Sequence, residues 1–360
     1  MLKLINKINM AALFLVCSYY THAAQIEPNG DFRYRHESTT DETKSSGQQE
    51  RHRHRIRARI GAKIKIEDSL KLNFSLATGE GDAQTSTNQT LGYNGSVQRG
   101  IYIDIAQADI KLAPHSDLKL GKIKNPIFAP GRSDLIYDSD LTPEGLFYGY
   151  ENSLGEGLMF FNFGSFWLSE DASNKDLGVF HTQLGYEIKI ADTGKLKTGI
   201  GQIAFTNIKG ADGTVAPTLK IGNNSNDGGG RFNFDYRPIE LFLEHSSDSI
   251  SFYAHYIYNG EVKNQKLGYL VGLIVGKTKV KGDYSVRYNY RELQKDATIS
   301  ALTDGDIGGG GTDVKGHYID LSYQVFNNAT LSLVNYISSK NISTSNKSYN
   351  KYQLNFVVVF

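Results

Sequence analysis

The sequence lacks several features that mark common classes of protein. It holds one cysteine, Cys17, which lies in the leader described below, so no disulfide framework supports the rest of the chain. Its 39 basic and 38 acidic residues give a net charge of +1, which excludes nucleic-acid binding through bulk charge. After residue 23, no segment is apolar over the roughly 20 residues that a membrane-spanning helix needs. We also find no serine in a recognisable nucleophile setting and no haem or redox motif.

The first 23 residues have the features of a cleavable export signal. Lys3 and Lys7 give a basic start, residues 10–16 form a short apolar run, and Thr21-His22-Ala23 supplies a small-residue cleavage site. Cys17 follows a valine where a lipoprotein acylation site would have a small residue, so we expect it to be removed with the signal. Without the two lysines the counts are 37 basic and 38 acidic, a net charge of −1. We expect residues 24–360 to form one domain.

Glycine and tyrosine are abundant, and apolar residues alternate along the chain. The 22 tyrosines suit a membrane–water interface, where the ring lies in the apolar zone and the hydroxyl stays wet. Residues 352–360 alternate strictly, which places five apolar or aromatic side chains on one face of a strand, namely Tyr352, Leu354, Phe356, Val358 and Phe360. An open strand edge in a bilayer would leave unmatched N–H and C=O groups. The pattern therefore predicts a closed transmembrane β-barrel, against the alternative of a terminal strand in a soluble sandwich.

The alternation predicts an all-β fold of sixteen antiparallel strands. Tight connections such as 67–68 and 327–328 alternate with longer Gly, Ser, Asn and Asp-rich ones such as 79–99 and 295–313, which is typical of an outer-membrane barrel. We expect Pro238 to lie at a bulge in the tenth strand. The predicted strands are 30–37, 51–66, 69–78, 100–112 (with a change of phase after Ile105), 117–124, 145–151, 157–168, 177–190, 195–207, 231–244, 249–259, 266–277, 281–294, 314–326, 329–339 and 349–360.

A row of basic residues follows one face of the first two predicted strands. Burying such a row dry would cost several kcal/mol per unpaired charge, and facing lipid would cost roughly 2–4 kcal/mol per Arg or Lys. The basic face must therefore be wet while the opposite isoleucine face meets an apolar medium, which predicts a water-filled lumen. The alternative is the solvated face of a soluble sheet. We predict a constriction basic wall of Arg33, Arg35, Arg53, Arg55, Arg57 and Arg59.

The segment after the fifth predicted strand, residues 125–144, is the candidate opposite wall. Its prolines and apolar residues favour an ordered loop that packs. If it folds into the barrel, its carboxylates would face the basic wall and set up a transverse field at a constriction. The alternative is an outer loop whose aspartates are hydrated or bind a surface cation. The predicted acidic loop residues are Asp134, Asp138, Asp140 and Glu144.

Three further signals are assigned ordinary roles. His52 and His54 could bind a metal, but we favour interfacial histidines on the apolar side of their strand. His181 is expected to be a solvated lumen histidine. Residues 304–313 lack the fixed ligand spacing of a calcium loop, so we expect a mobile outer loop there. No metal site and no cofactor is predicted.

Several stretches resemble a porin family of Gram-negative outer membranes with sixteen-stranded, general-porin-like barrels. They include RIRARIGAKIKIEDSLKLNFSLATGEGD, GKIKNPIFAP and DLIYDSDLTPEGL, and the resemblance extends over nearly all of the mature chain. It implies a homotrimer that passes small hydrophilic solutes, and it places residues 125–144 at the constriction. It names no particular solute.

Together, the residues and the resemblance predict a non-enzymatic passive diffusion porin of the outer membrane. Because the basic wall carries more charge than the loop offers, we expect a weak to moderate anion preference. Expected partners are outer-membrane lipid, lipopolysaccharide, small solutes or anions and further copies of the chain, without nucleic acid. The alternatives are an outer-membrane barrel hydrolase and a closed structural or adhesive surface barrel.

Overall fold

The computed structural model describes residues 24–80, 86–92, 94–170, 172, 175–190, 194–211, 225–226 and 231–360. The predicted signal peptide, residues 1–23, lies outside these ranges.

Within the described ranges, sixteen strands form one antiparallel barrel, as the alternation predicts. Each strand pairs with its neighbours in the chain, and the first strand also pairs with the last. The strands are Gln25–Asp41 (β1), Glu50–Glu67 (β2), Leu70–Thr78 (β3), Ile101–Ala113 (β4), Ser116–Lys122 (β5), Glu144–Leu154 (β6), Gly157–Ser169 (β7), Leu177–Ile190 (β8), Gly194–Thr206 (β9), Pro238–Ser246 (β10), Ile250–Asn259 (β11), Leu267–Gly276 (β12), Tyr284–Leu293 (β13), Val314–Phe326 (β14), Ala329–Lys340 (β15) and Lys347–Val359 (β16).

The barrel closes between β1 and β16. Asp31 lies opposite Val359, and the pairing continues to Asp41 opposite Tyr349. Beyond the end of β16, the N–H and C=O of Phe360 exchange hydrogen bonds of 3.0 and 2.9 Å with Gly30. This pairing satisfies the backbone groups that an open sheet would leave exposed to lipid.

Smaller elements lie outside the sixteen strands. Gln89–Thr90 is a two-residue strand that pairs with β2, and Ser225–Asn226 pairs with Arg231–Phe232. Short 3₁₀ turns occur at Pro130–Arg132, Ser300–Leu302 and Ile307–Gly309. Among the residues that the structure describes, no helix has the length and hydrophobicity that crossing a membrane would require.

The two faces of each strand meet different surroundings. On β16, Leu354 is 47% exposed on the outer face, whereas the neighbouring Asn355 is 4% exposed and points inward. The outward row also contains Tyr352 and Phe360, as the sequence predicts. This alternation places the apolar side chains against lipid and the polar ones in the lumen.

The tenth strand starts later than predicted, and the predicted change of phase on the fourth strand has a structural cause. The tenth strand begins at Pro238, and the predicted bulge there is wrong. A proline has no N–H to donate, so it fits the first position of a strand. The predicted change of phase on the fourth strand corresponds to a bulge, because Ser75 and Leu76 lie opposite Ile105 and Ile103 and leave Asp104 unmatched.

The lipid-facing assignment predicts the effect of a charge in the middle of β16. We expect Leu354→Arg to lower the free energy of unfolding by roughly 2–4 kcal/mol, since a cation near the bilayer midplane must be desolvated. Asn328→Arg, in the exposed turn between β14 and β15, is the control and should cost at most about 1 kcal/mol. Equilibrium urea unfolding in lipid vesicles measures both. Equal costs would contradict the assignment of the outer face.

Candidate functional site

A basic row lies on the lumen face of β1 and β2. In the register, Arg35 lies opposite Arg55 and Arg33 lies opposite Arg57. Ile56 occupies the outward position between Arg55 and Arg57, and Ile60 occupies the outward position after Arg59. The inward direction of the row follows from this alternation, because the isoleucines must meet lipid. The row consists of Arg33, Arg35, Arg53, Arg55, Arg57 and Arg59.

The same wall supplies part of the compensating negative charge. Asp31 accepts hydrogen bonds of 2.8 Å from both Arg57 and Arg59, and the fully buried Glu37 accepts one from Arg53. From the sequence, the compensating acids are expected across the channel only. Asp31 and Glu37 lie on β1 opposite the arginines of β2, so cross-strand pairing offsets much of the repulsion before any loop contributes.

The connection between β5 and β6, residues 123–143, packs against the inner wall on the other side. The N–H and C=O of Phe128 bond the side-chain amide of Gln183 on β8 at 3.0 and 2.9 Å. Gly131 adopts a left-handed conformation (φ 56°) over the ring of Tyr253 on β11, where a Cβ would meet ring carbons at 2.4 Å. Leu135 is fully buried. These contacts join the segment to lumen-facing side chains.

Glu240 on β10 is the centre of a buried network that holds this connection. Its carboxylate bonds Nε2 of His181 and Nε2 of His255, each at 2.8 Å. The other ring nitrogens reach the connection, at Tyr137 Oη (3.2 Å) and Ser133 Oγ (3.1 Å). The expectation of a solvated His181 is therefore wrong: the segment covers the histidine and excludes water from it.

The four predicted loop acids occupy different environments. Asp140 lies nearest the basic row, with carboxylate oxygens 3.3 Å from Arg57, 3.7 Å from Arg59 and 3.8 Å from Arg33. Glu144 opens β6 and pairs with Lys122 on β5 at 2.8 Å. It is exposed, and it forms no ion pair with the described residues of the row.

Asp134 and Asp138 meet a second connection, residues 294–313 between β13 and β14. The Asp134 carbonyl accepts a hydrogen bond from the N–H of Asp304, and the Asp138 carboxylate accepts one of 3.0 Å from Gly305. The N–H of Asp138 donates to the Leu302 carbonyl at 2.7 Å. The two connections therefore form one packed unit inside the barrel.

The expectation of a mobile outer loop at 304–313 is wrong. Ile299, Leu302 and Ile307 are buried and anchor the connection. Asp304 pairs with Arg291 on β13 at 2.7 Å. Asp306 pairs with Lys351 on β16 at 2.8 Å and lies 3.8 Å from Arg35. The signal available in the sequence was the mixture of aspartates and isolated apolar residues, which this segment shares with residues 125–144.

Two loop carboxyls have strongly raised pKa values. Burial raises the pKa of Asp134 to about 7, and the nearby Asp304 carboxylate adds to the effect against the opposing charges of Arg291 and Arg287. Burial and the neighbouring Asp134 raise the pKa of Asp138 well above its ordinary value. Both carboxyls therefore hold protons at pH values where an exposed aspartate has lost its own.

The basic row and the two connections enclose a cavity of about 620 Å³. Asp134, Asp138, Asp140 and Asp306, from the two connections, also line it, as do polar groups such as Ser332. The cavity thus has a basic side and an acidic side. Within the described part of the chain, no group of histidine, cysteine and acidic residues has the arrangement of a metal site. His52 and His54 lie on the exposed outer face of β2.

The sequence matches the family model described as "Putative porin" over residues 16–234 and 231–360. The chain belongs to this porin family. Family and barrel together indicate an outer-membrane protein and a channel rather than an enzyme. No curated protein matches the sequence significantly.

Solved porin structures share the fold at low sequence identity. Pseudomonas putida OprB, solved at high pH, has a TM-score of 0.58 and 11% identity over 93% of this porin and 94% of OprB. Salmonella typhi OmpF in complex with daunomycin has a TM-score of 0.55 and 14% identity over 95% and 99% of the two chains. A mutant of Rh. blastica porin has a TM-score of 0.52 and 10% identity over 93% and 100%. These similarities establish the barrel fold.

Proposed function

We propose that this porin conducts small hydrophilic solutes and ions by passive diffusion through a charged constriction, with a weak preference for anions. The constriction is the cavity between the basic row and the two packed connections. Hydrated solutes cross between arginines on one side and carboxyls on the other, and fixed charges of this kind govern which ions enter. The acidic side is formed by Asp134, Asp138 and Asp140, with Asp306 from the second connection.

The ion-pair network of the basic row carries this proposal. Among the described residues, the network joins seven cations to five acids, an excess of two positive charges. The cations are the six arginines of the row and Lys351. The acids are Asp31, Glu37, Asp104, Asp140 and Asp306. A small excess of this sign attracts anions weakly.

Conductance and reversal-potential measurements test this proposal. Purified protein in a planar bilayer should give stepwise conductance, and its reversal potential under a KCl gradient should have the sign of a modest chloride preference. A well-folded barrel without conductance would refute the diffusion channel and favour a closed surface barrel. A potassium preference would refute the proposed selectivity alone.

Selectivity should depend on pH through Asp134. As the pH falls through about 7, Asp134 takes up a proton and the acidic side loses charge, so we expect anion preference to rise from pH 8.5 to pH 5.5. Because this pKa lies above that of the unfolded chain, the proton stabilises the fold at low pH, and its contribution is lost as the pH rises through about 7. Asp134→Asn should flatten the dependence of the reversal potential on pH. An unchanged dependence in this variant would contradict the assignment of the effect to Asp134.

Export and assembly complete the proposal. We propose that residues 1–23 are cleaved as a signal peptide, which the mass of the purified protein tests. We also propose a homotrimer in contact with outer-membrane lipid and lipopolysaccharide, in accord with the porin family. Light scattering in detergent measures the number of subunits.

A further inference from the structure

The six arginines of the basic row divide into two groups by their partners. Arg53, Arg57 and Arg59 each donate a direct hydrogen bond to a carboxylate on β1. The acceptor is Glu37 for Arg53 and Asp31 for the other two. For Arg33, Arg35 and Arg55, the nearest carboxylate oxygen in the described structure is 3.8 Å away. A distance of 3.8 Å is too long for a hydrogen bond. The second group therefore holds positive charge that is ion-paired at 3.8 Å but forms no hydrogen bond with a carboxylate.

The neutral contacts of this second group leave donors unused. Arg33 donates to Asn88 and Arg35 donates to Asn355, each at 2.6 Å, whereas Arg55 makes only 3.5 Å contacts with Ser86 and Asn88. The Nε atoms of Arg33 and Arg55 are buried and have no hydrogen-bond partner within the described structure. A buried donor without a partner costs free energy, and a buried cation costs more.

These three side chains are neighbours on the cavity wall. Arg35 lies directly opposite Arg55 across the β1–β2 pair, and Arg33 is two residues along the same face of β1. All three line the 620 Å³ cavity, as does Ser332. Ser332 Oγ accepts a hydrogen bond from Asn355, which leaves its own hydrogen free to donate.

We infer that Arg33, Arg35 and Arg55 form a binding subsite for a phosphate group within the passage. Guanidinium groups bind phosphate oxygens in pairs, and a tetrahedral dianion offers enough oxygens to engage several guanidiniums at once. The ligand is phosphate, either as the free ion or as the phosphomonoester of a small solute, for which the cavity has room. This inference rests on the proposed function of the same site.

The experiment measures block of the KCl current by phosphate at pH 8, where phosphate is a dianion. Inorganic phosphate and glycerol phosphate should each reduce the current in a saturable manner, and a stronger effect of one of them identifies the source of the phosphate group. Acetate at matched ionic strength should not reduce the current. Equal block by succinate would overturn the inference in favour of a general dianion site.

Two variants and a matched control locate the subsite. Arg35→Gln and Arg55→Gln should each weaken phosphate block about tenfold or more, because each removes charge-assisted hydrogen bonds. The acids near these arginines stay paired in the variants, because Asp306 still pairs with Lys351 and Glu37 still pairs with Arg53. Arg59→Gln removes the same charge from the row but should weaken phosphate block much less than Arg55→Gln, because Arg59 already bonds Asp31. Equal losses in Arg59→Gln and Arg55→Gln would refute a local subsite.

A second readout separates this inference from the proposed channel. Phosphate should raise the melting temperature of the detergent-solubilised protein, and Arg35→Lys, which keeps the charge but loses the planar fork, should abolish the rise. Conductance with neither block nor a shift in melting temperature would refute the subsite alone. A shift without conductance would retain the subsite and refute the channel.

Discussion

Arg55→Glu combined with Arg57→Glu should turn the anion preference into a cation preference. Each substitution changes the charge by two, so the pair converts the ion-pair network's excess of two positive charges into an excess of two negative charges. The reversal potential under a KCl gradient should change sign. Attraction should shift from chloride to potassium, because both positions line the cavity.

A control on the same strand separates the effect of position in the barrel from the effect of the charge change itself. Lys63→Glu combined with Lys65→Glu makes the same change in charge on the same face of β2, near the turn to β3. These side chains lie outside the lining of the cavity, where mobile ions screen them, so the reversal potential should move little. If the arginine variant keeps its anion preference while the barrel is folded, the basic row does not govern selectivity.

Glu240→Leu should release the connection between β5 and β6 and widen the passage. The substitution leaves His181, His255 and Gln183 buried without their shared acceptor. Breaking a buried network of this kind costs about 3–5 kcal/mol. We expect a higher single-channel conductance, a lower free energy of unfolding and faster proteolysis within residues 123–143.

Glu187 supplies the comparison for Glu240. It also lies on the lumen face, but it pairs with Lys195 and Lys197 and is partly exposed, so Glu187→Leu should cost at most about 1 kcal/mol. Glu240→Gln keeps the shape of the side chain and should lie between the two. Unchanged conductance and protease resistance in Glu240→Leu would show that the apolar contacts of Leu135 and Phe128 hold the connection without the network.

The sequence predicted the strands well because their signal is local. Alternation of period two identifies a strand and its two faces without any knowledge of its partners, and the basic row followed from the same rule. Pro238 was misplaced because the residues before it, including the buried Tyr236, read as more of the same strand. In the structure, Tyr236 packs in the core and its hydroxyl bonds Asp296, a contact that depends on the folded loops.

The acidic side was harder to predict because its partners are distant in the chain. Asp140 could be proposed from its position in an apolar, proline-rich segment. Asp306 could not, because its contacts with Lys351 and Arg35 exist only after the barrel has closed. Glu144 was grouped with the loop by sequence proximity, but the strand begins at that residue and pairs it with Lys122.

The placement of Asp31 and Glu37 bears on the order of events during biogenesis. These two carboxylates belong to the same hairpin as the guanidiniums that they contact. The hairpin in which the arginines repel one another therefore supplies part of its own compensating negative charge. The β1–β2 hairpin can therefore form without the contacts that Asp306 and Lys351 add in the closed barrel.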